Sequence, residues 1–251
     1  MSGQQDELSF WQHLDVMRGG LIRCALVTLV LSIVAFCCKD WLFSLLLAPT
    51  RSEFVTWRWL QQWHLMDAPE RVILINTELS HQFIAHMQAA LVIGLLMALP
   101  YIEMELYRFI QPALYEQERK HVLPALATAY VLFVLGAAMS YFILFPFTYR
   151  FLVTYQVAAA VGNYITLSSY LNTLLVLSLI MGCMTELPIV CRMLGKMGLI
   201  TREGMRRYRR HAIVAIFILA AIITPTGDAI TLSLVAVPIW LLYELSVWVI
   251  R

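Results

Sequence analysis

Tyr170-LNTLLVLSLIMGCMTELPIVCRML-Gly195 reads as a membrane span that carries one acid, Glu186, and a proline two residues later, Pro188. A helix rises ~1.5 Å per residue and needs about 20 residues to cross a hydrocarbon core of ~30 Å. The stretch is long enough, so Glu186 falls at membrane depth. A charged acid near the middle of a span costs about 2.5–3.5 kcal/mol on insertion scales. Two readings stand. Glu186 serves a function inside the bilayer, as intramembrane ionisable groups do by default. Or it is a protonated carboxyl held by Ser178, Thr185 or a neighbouring helix.

The rest of the chain is built the same way. Its 251 residues are 61% hydrophobic and 14% charged, with mean hydropathy +0.74. Soluble domains carry about 25% charged residues, so the composition excludes an ordinary soluble domain. Six spans are predicted: Leu21–Cys38, Phe83–Leu106, Val122–Phe147, Tyr170–Leu194, Ala212–Ile223 and Ile230–Val249. The fifth would be only ~18 Å long and ends at Thr224-Pro225-Thr226-Gly227; Glu244 shortens the apolar part of the sixth. The expected fold is therefore all-α, a polytopic membrane protein with six transmembrane helices, the last two short. Prolines at or inside the spans (Pro49, Pro100, Pro112, Pro124, Pro146, Pro188, Pro225, Pro238) favour a concave bundle of kinked helices, because each removes a backbone hydrogen bond. A single membrane domain over residues 1–251 is expected, with an amphipathic segment at 1–20.

Charge sets the expected orientation. With the N-terminus inside, Arg18, Arg23, Arg108, Arg119, Lys120, Arg192, Lys196, Arg202, Arg206, Arg207, Arg209, Arg210 and Arg251 lie on the cytoplasmic side. The other side holds Lys39, Arg51, Arg58, Arg71 and Arg150. This is the positive-inside pattern, with both termini cytoplasmic. The basic run at 202–210 is read as a topology anchor, and nucleic acid is not an expected partner. The first apolar run lacks a small-residue cleavage site and is read as a retained span. Five cysteines, all in or near spans and without a C-x-x-C spacing, argue against a disulfide framework and a zinc site.

The loop Pro49–Gln82 carries Val55, Trp59 and Trp63 at four-residue intervals, with Trp57 and Leu60 between them. That stripe predicts a short helix lying on the bilayer interface, where indole rings settle. Catalytic patterns are missing: there is no G-x-S-x-G, H-E-x-x-H or phosphate loop, and no paired intramembrane aspartates. No enzyme, metal or cofactor is expected. The carboxylates instead gather on the basic side: Asp6, Glu7 and Asp15 near the start, Glu103 and Glu105 closing span two, Glu116 and Glu118 in the next loop. They can pair with adjacent arginines, or they can receive a cationic peptide, whose guanidinium groups bind carboxylates through two parallel hydrogen bonds.

The loop Phe109-Ile-x-Pro112-Ala113-Leu114-Tyr115-x-x-Glu118-Arg119 resembles the F-x-x-P-x-L-x-x-x-E-R loop of the TatC family, the polytopic subunits of the twin-arginine protein translocase. Pro49, Pro100, Phe145-Pro146, Glu186-x-Pro188, Thr224-Pro225-Thr226-x-Asp228 and Ala236-Val-Pro238 with Tyr243-Glu244 fit the same family in order. Three departures stand out. The family's N-terminal H-L-x-E-L-R-x-R-L is His13-Leu14-Asp15-Val16-Met17-Arg18-Gly19-Gly20-Leu21 here. The acid is thus one residue early, turned by roughly 100° on a helix. The second basic position is Gly20, and Glu105 stands where many members have an amide.

The resemblance implies a signal-peptide receptor in a bacterial-type inner membrane, exporting folded precursors on the proton gradient. Glu118 is the first candidate for the guanidinium partner, with Asp15 second and Glu105 as a compensating carboxylate. Arg18 and Arg119 flank them, and Phe109, Pro112 and Leu114 would shape the loop. Glu186, Pro188, Thr224, Pro225 and Asp228 form a second, intramembrane polar site for a partner helix. Implied partners are twin-arginine precursors, TatA- and TatB-like single-span subunits, further copies of the chain, and the lipid bilayer. The alternative is a proton- or ion-coupled small-solute transporter that uses Glu186.

Overall fold

The computed structural model of the chain describes residues 10–64, 74–110, 122–155, 164–196, 198–224 and 229–250. These residues form helices: α1 Phe10–Cys37, α2 Lys39–Leu46, α3 Val55–Gln62, α4 His81–Ile110, α5 Val122–Met139, α6 Phe145–Thr154, α7 Leu167–Thr185, α8 Leu187–Lys196, α9 Arg202–Arg207, α10 Arg209–Ile223 and α11 Ala229–Val249. A short 3-10 turn, Ala48–Thr50, precedes α3, and a widened π-helical turn, Ser140–Leu144, joins α5 to α6. Among the described residues the only β pairing is one isolated bridge between Ile75 and Thr166.

Five helical stretches are long and apolar enough to cross a membrane: Asp15–Cys37, His81–Phe109, Leu126–Thr154, Leu167–Lys196 and Ala229–Val249. They correspond to all the predicted spans except the fifth. That segment is α10, whose 15 residues make a helix of ~22 Å, short of the hydrocarbon core. The last helix is less short than its acid suggested. α11 runs 21 residues straight through Glu244, because that carboxylate meets Arg209 and does not need to reach water.

Contacts divide the chain into two units. The first holds Met1–Cys38 with Ala90–Tyr130, the second Lys39–Ala89 with Val131–Arg251. In the first unit, α1 lies against the later part of α4, and their backbones touch at Gly94. A Cβ on Gly94 would stand 2.5 Å from the backbone nitrogen of Ser32. Only glycine permits that approach, the small-residue contact that lets membrane helices associate where lipid removes the hydrophobic drive. Leu26, Leu29, Val30 and Ile33 on α1 remain exposed, as a lipid-facing surface would be.

In the second unit α7 is the central helix, with Leu171, Leu174, Leu175, Leu177, Ser178, Met181, Gly182 and Thr185 all buried. Gly182 receives the Phe133 ring of α5, which a Cβ would meet at 2.5 Å. Pro188 cannot donate a backbone hydrogen bond. The predicted single span accordingly breaks into α7 and α8, with Glu186 at the joint and its N–H turned back to the Cys183 carbonyl at 3.2 Å.

The tryptophan-rich loop forms the predicted short helix, and its two faces separate. Trp57 is fully buried with Phe54 and Leu60, packed on Ala48, Tyr141 and Phe147. Its indole donates to the Pro49 carbonyl at 3.1 Å. Trp59 and Trp63 point the other way, 58% and 65% exposed, with ring centroids 6.2 Å apart. Trp57→Ala should therefore cost about 3–5 kcal/mol, while Trp59→Ala should stay within about 0.5 kcal/mol. Reversible denaturation in mixed micelles checks both, and equal losses would contradict this two-faced packing.

Candidate functional site

The end of α4 carries Tyr101, Glu105 and Arg108. Spacings of four and three residues put all three on one helix face. That face meets Arg23 of α1 within the first unit. Arg23 grips the Glu105 carboxylate with two bonds, Nε to Oε1 at 3.1 Å and Nη2 to Oε2 at 2.9 Å. Tyr101 Oη donates to Oε1 at 3.0 Å and Arg108 Nη1 to Oε1 at 2.9 Å. The carboxylate side chain is only 4% exposed, while Arg23 and Arg108 remain 51% and 55% exposed. A nearly buried acid at a span end is thus satisfied by two cations that keep much of their own hydration. Pairs whose cation stays open to water contribute little each; the arrangement matters because without it the acid would be buried alone.

The other candidates on this side distribute as follows. Asp15 and Arg18 on α1 are exposed. Val16, Gly20 and Arg23 share a face by their spacing of four and three, so Asp15 is rotated off the face that carries Arg23. Phe109 is half-buried near the end of α4. Pro112, Leu114, Glu118 and Arg119 lie outside the described residues. Glu103 is buried, 8% exposed.

The intramembrane candidates lie in the second unit. Glu186 is half-buried at the α7–α8 joint, and its carbonyl accepts from the N–H groups of Ile189 at 3.0 Å and Val190 at 3.1 Å. Pro188 beside it is buried. Thr185 was one expected partner for the Glu186 carboxyl, but its hydroxyl faces carbonyls instead, Leu132 at 2.8 Å and Gly182 at 2.6 Å. Thr224 is buried and closes α10, with its hydroxyl donating to the Ala220 carbonyl at 2.9 Å. Pro225 and Asp228 lie outside the described residues.

One polar pair escapes the sequence reading. Arg209 Nη2 lies 2.6 Å from Glu244 Oε2, with side chains 44% and 18% exposed. Beside it Tyr243 Oη donates to the Met205 carbonyl at 2.8 Å, pinning α9 to α11. The signal was available. Arg209 stands 14 residues before the end of α10 (223 − 209), and Glu244 stands 15 after the start of α11 (244 − 229). In a helical hairpin those positions fall at one depth. The bidentate pair between Arg23 and Glu105 had no such marker, being 82 residues apart in sequence.

Removing one partner of such a pair strands the other charge. Arg209→Leu should destabilise the protein by about 1–3 kcal/mol, below the fully buried range of 3–5 because both groups are partly exposed. Adding Glu244→Leu should restore much of the loss. Thermal denaturation in detergent reads both, and a double variant as unstable as the single one would show that the pair is not the cause.

The chain matches the family model "Sec-independent protein translocase protein (TatC)" over residues 12–238. It is 33% identical over 238 residues to the Sec-independent protein translocase protein TatC of Deinococcus radiodurans, covering 94% of this chain and 83% of that one. Against the TatC protein of Aquifex aeolicus it is 32% identical, covering 94% and 92%. Among solved structures it is similar to a twin arginine translocase receptor TatC, with TM-score 0.79 and 32% identity over 94% of this chain and 97% of that one. A second crystal structure of that receptor, in DDM, matches with TM-score 0.81 and 31% identity over 95% and 99%. The helical order, the proline-marked breaks and these likenesses over nearly the full length lead to one conclusion: the chain belongs to the TatC family.

Proposed function

We propose that this chain is the signal-peptide receptor and core subunit of a Sec-independent twin-arginine translocase, exporting folded proteins across a bacterial inner membrane on the proton gradient. The observation that carries the reading is the likeness to a solved twin arginine translocase receptor across 94% of the chain. The basic residues collected on one side support cytoplasmic termini. Twin-arginine precursors would then arrive on the side that holds Asp15, Arg18, Glu105 and the loop 109–119.

Glu118 is the primary guanidinium partner in this reading. Its position in the loop motif matches the family's acid, and Phe109, Pro112 and Leu114 would shape the loop and pack the apolar residues that flank the peptide's motif. Arg119 sets the local charge, and Glu105 with Asp15 makes up for the acid absent at Val16. A guanidinium bound through two parallel hydrogen bonds is distinguished from an ammonium, which offers a point charge without the fork. Specificity for arginine over lysine follows from that geometry.

The intramembrane group Glu186, Pro188, Thr224, Pro225 and Asp228 would receive a polar position on a TatA- or TatB-like single-span helix. The short α10 supports this reading, since ~22 Å of helix leaves the bilayer thin beside it. Further copies of the chain complete the assembly. Likeness to a protein translocase does not favour small-solute transport through Glu186.

Binding of a labelled twin-arginine signal peptide to the full chain in nanodiscs tests the proposal. The twin-lysine peptide should bind more weakly, and Glu118→Gln should cost about 1.5–3 kcal/mol, roughly ten- to hundredfold in Kd. Equal affinity for both peptides, unchanged by Glu118→Gln, would overturn it.

A further inference from the structure

We propose that Arg23 occupies a guanidinium site on Glu105 from within the chain, and that an arginine of the signal peptide enters this second site by exchanging with it. The inference rests on the receptor reading and adds to it an internal competitor.

The geometry comes first. Arg23 meets both carboxylate oxygens through Nε and Nη2, at 3.1 and 2.9 Å, which is the fork by which any guanidinium is recognised. Glu105 Oε1 also accepts from Tyr101 and Arg108, whereas among the described residues Oε2 accepts from Arg23 alone. If Arg23 leaves, Tyr101 and Arg108 still satisfy the buried acid on one oxygen. What opens is a fork of the right shape for another guanidinium.

The surroundings suit exchange better than a permanent brace. Arg23 is about half exposed while Glu105 is 4% exposed, so Arg23 can swing out and keep its charge hydrated. Gly19 and Gly20 lie alongside. A Cβ on Gly20 would sit 3.6 Å from Glu105 Oε2, and one on Gly19 would sit 3.6 Å from Arg23 Nη1. Both are ordinary contacts, so an alanine fits at either place. The chain instead carries two adjacent glycines, among the poorest helix formers, in the middle of α1. They leave bare the flank of the ion pair from which a peptide side chain would approach. A lysine ammonium cannot reproduce the fork, so exchange favours arginine twice: at the peptide and in the competitor it must displace.

A brace and a competitor make opposite predictions when Arg23 is removed. In nanodiscs, R23Q should bind the twin-arginine peptide on the order of two- to fivefold more tightly than wild type, the range an exposed ion pair supplies. R23K, which keeps the charge and loses the fork, should also gain. E105Q in the R23Q background should erase the gain. Thermal stability should stay level or fall in R23Q, so tighter binding cannot be a by-product of a firmer fold. Weaker or unchanged binding by a folded R23Q overturns the exchange. If wild type prefers the arginine peptide and R23Q gains nothing, exchange alone fails. If neither protein distinguishes the two peptides, the receptor reading fails and the exchange falls with it.

Discussion

Inside hydrocarbon there is no water to satisfy a stray polar group, so every carbonyl freed by a proline and every charge near a span must find a partner within the protein. The chain's architecture is a set of answers to that requirement. Pro146 has no N–H to give the Phe142 carbonyl four residues earlier. The hydroxyl of Thr56 donates to that same carbonyl, tying α3 to the widened turn before α6. Pro188 would leave a similar gap, and the helix ends at Thr185 and restarts at Leu187. Tyr141 and Tyr170 donate their hydroxyls to the carbonyls of Leu45 and Leu46 at 2.6 and 2.8 Å. The kinks, the tethering of α3 and the anchoring of α2 are thereby parts of one accounting.

The same requirement governs charge and connects fold to function. Glu105 and Glu244 are each held by an arginine from a different helix. Such pairs add little net stability, but they set where an acid is permitted at a span end. A bridging arginine that keeps its own contact with water can leave the acid beneath it without losing its hydration. Arg23 and Arg108 meet that condition at Glu105. A receptor for arginine pairs can be assembled from these elements without a deep pocket, because the recognition is a two-bond fork and a charge.

Much of this was legible in residues 1–251, and the boundary is physical. Apolar runs of twenty or more residues identify spans because length is set by the bilayer, so four long spans and the short α10 were readable. The spacing of Val55, Trp59 and Trp63 identified the exposed face of α3 because helix periodicity is local. Partners distant in sequence were not readable: nothing near Glu105 names Arg23, and charge counting alone treated Arg209 as a topology signal. The effect of Pro188 was readable as a kink, whereas the one-residue break it makes at Glu186 depends on how Thr185 and Gly182 pack on α5. Glu244 misled for a related reason, since an acid shortens an apolar stretch only when no arginine stands at its depth. The loop motif through Glu118 carried the family resemblance, and its geometry lies outside the described residues.

The central claim is recognition of a twin-arginine precursor by the cytoplasmic loop, followed by passage of the folded protein. The most direct measurement is transport of a folded twin-arginine precursor into inverted membrane vesicles containing this chain and its single-span partners. Wild-type and Glu118→Gln vesicles would be compared under a proton gradient, with small-solute flux recorded in the same preparation. The account predicts that Glu118→Gln abolishes precursor transport and leaves solute flux unchanged. Precursor transport unaffected by Glu118→Gln, alongside a solute flux that disappears with Glu186→Gln, would contradict it.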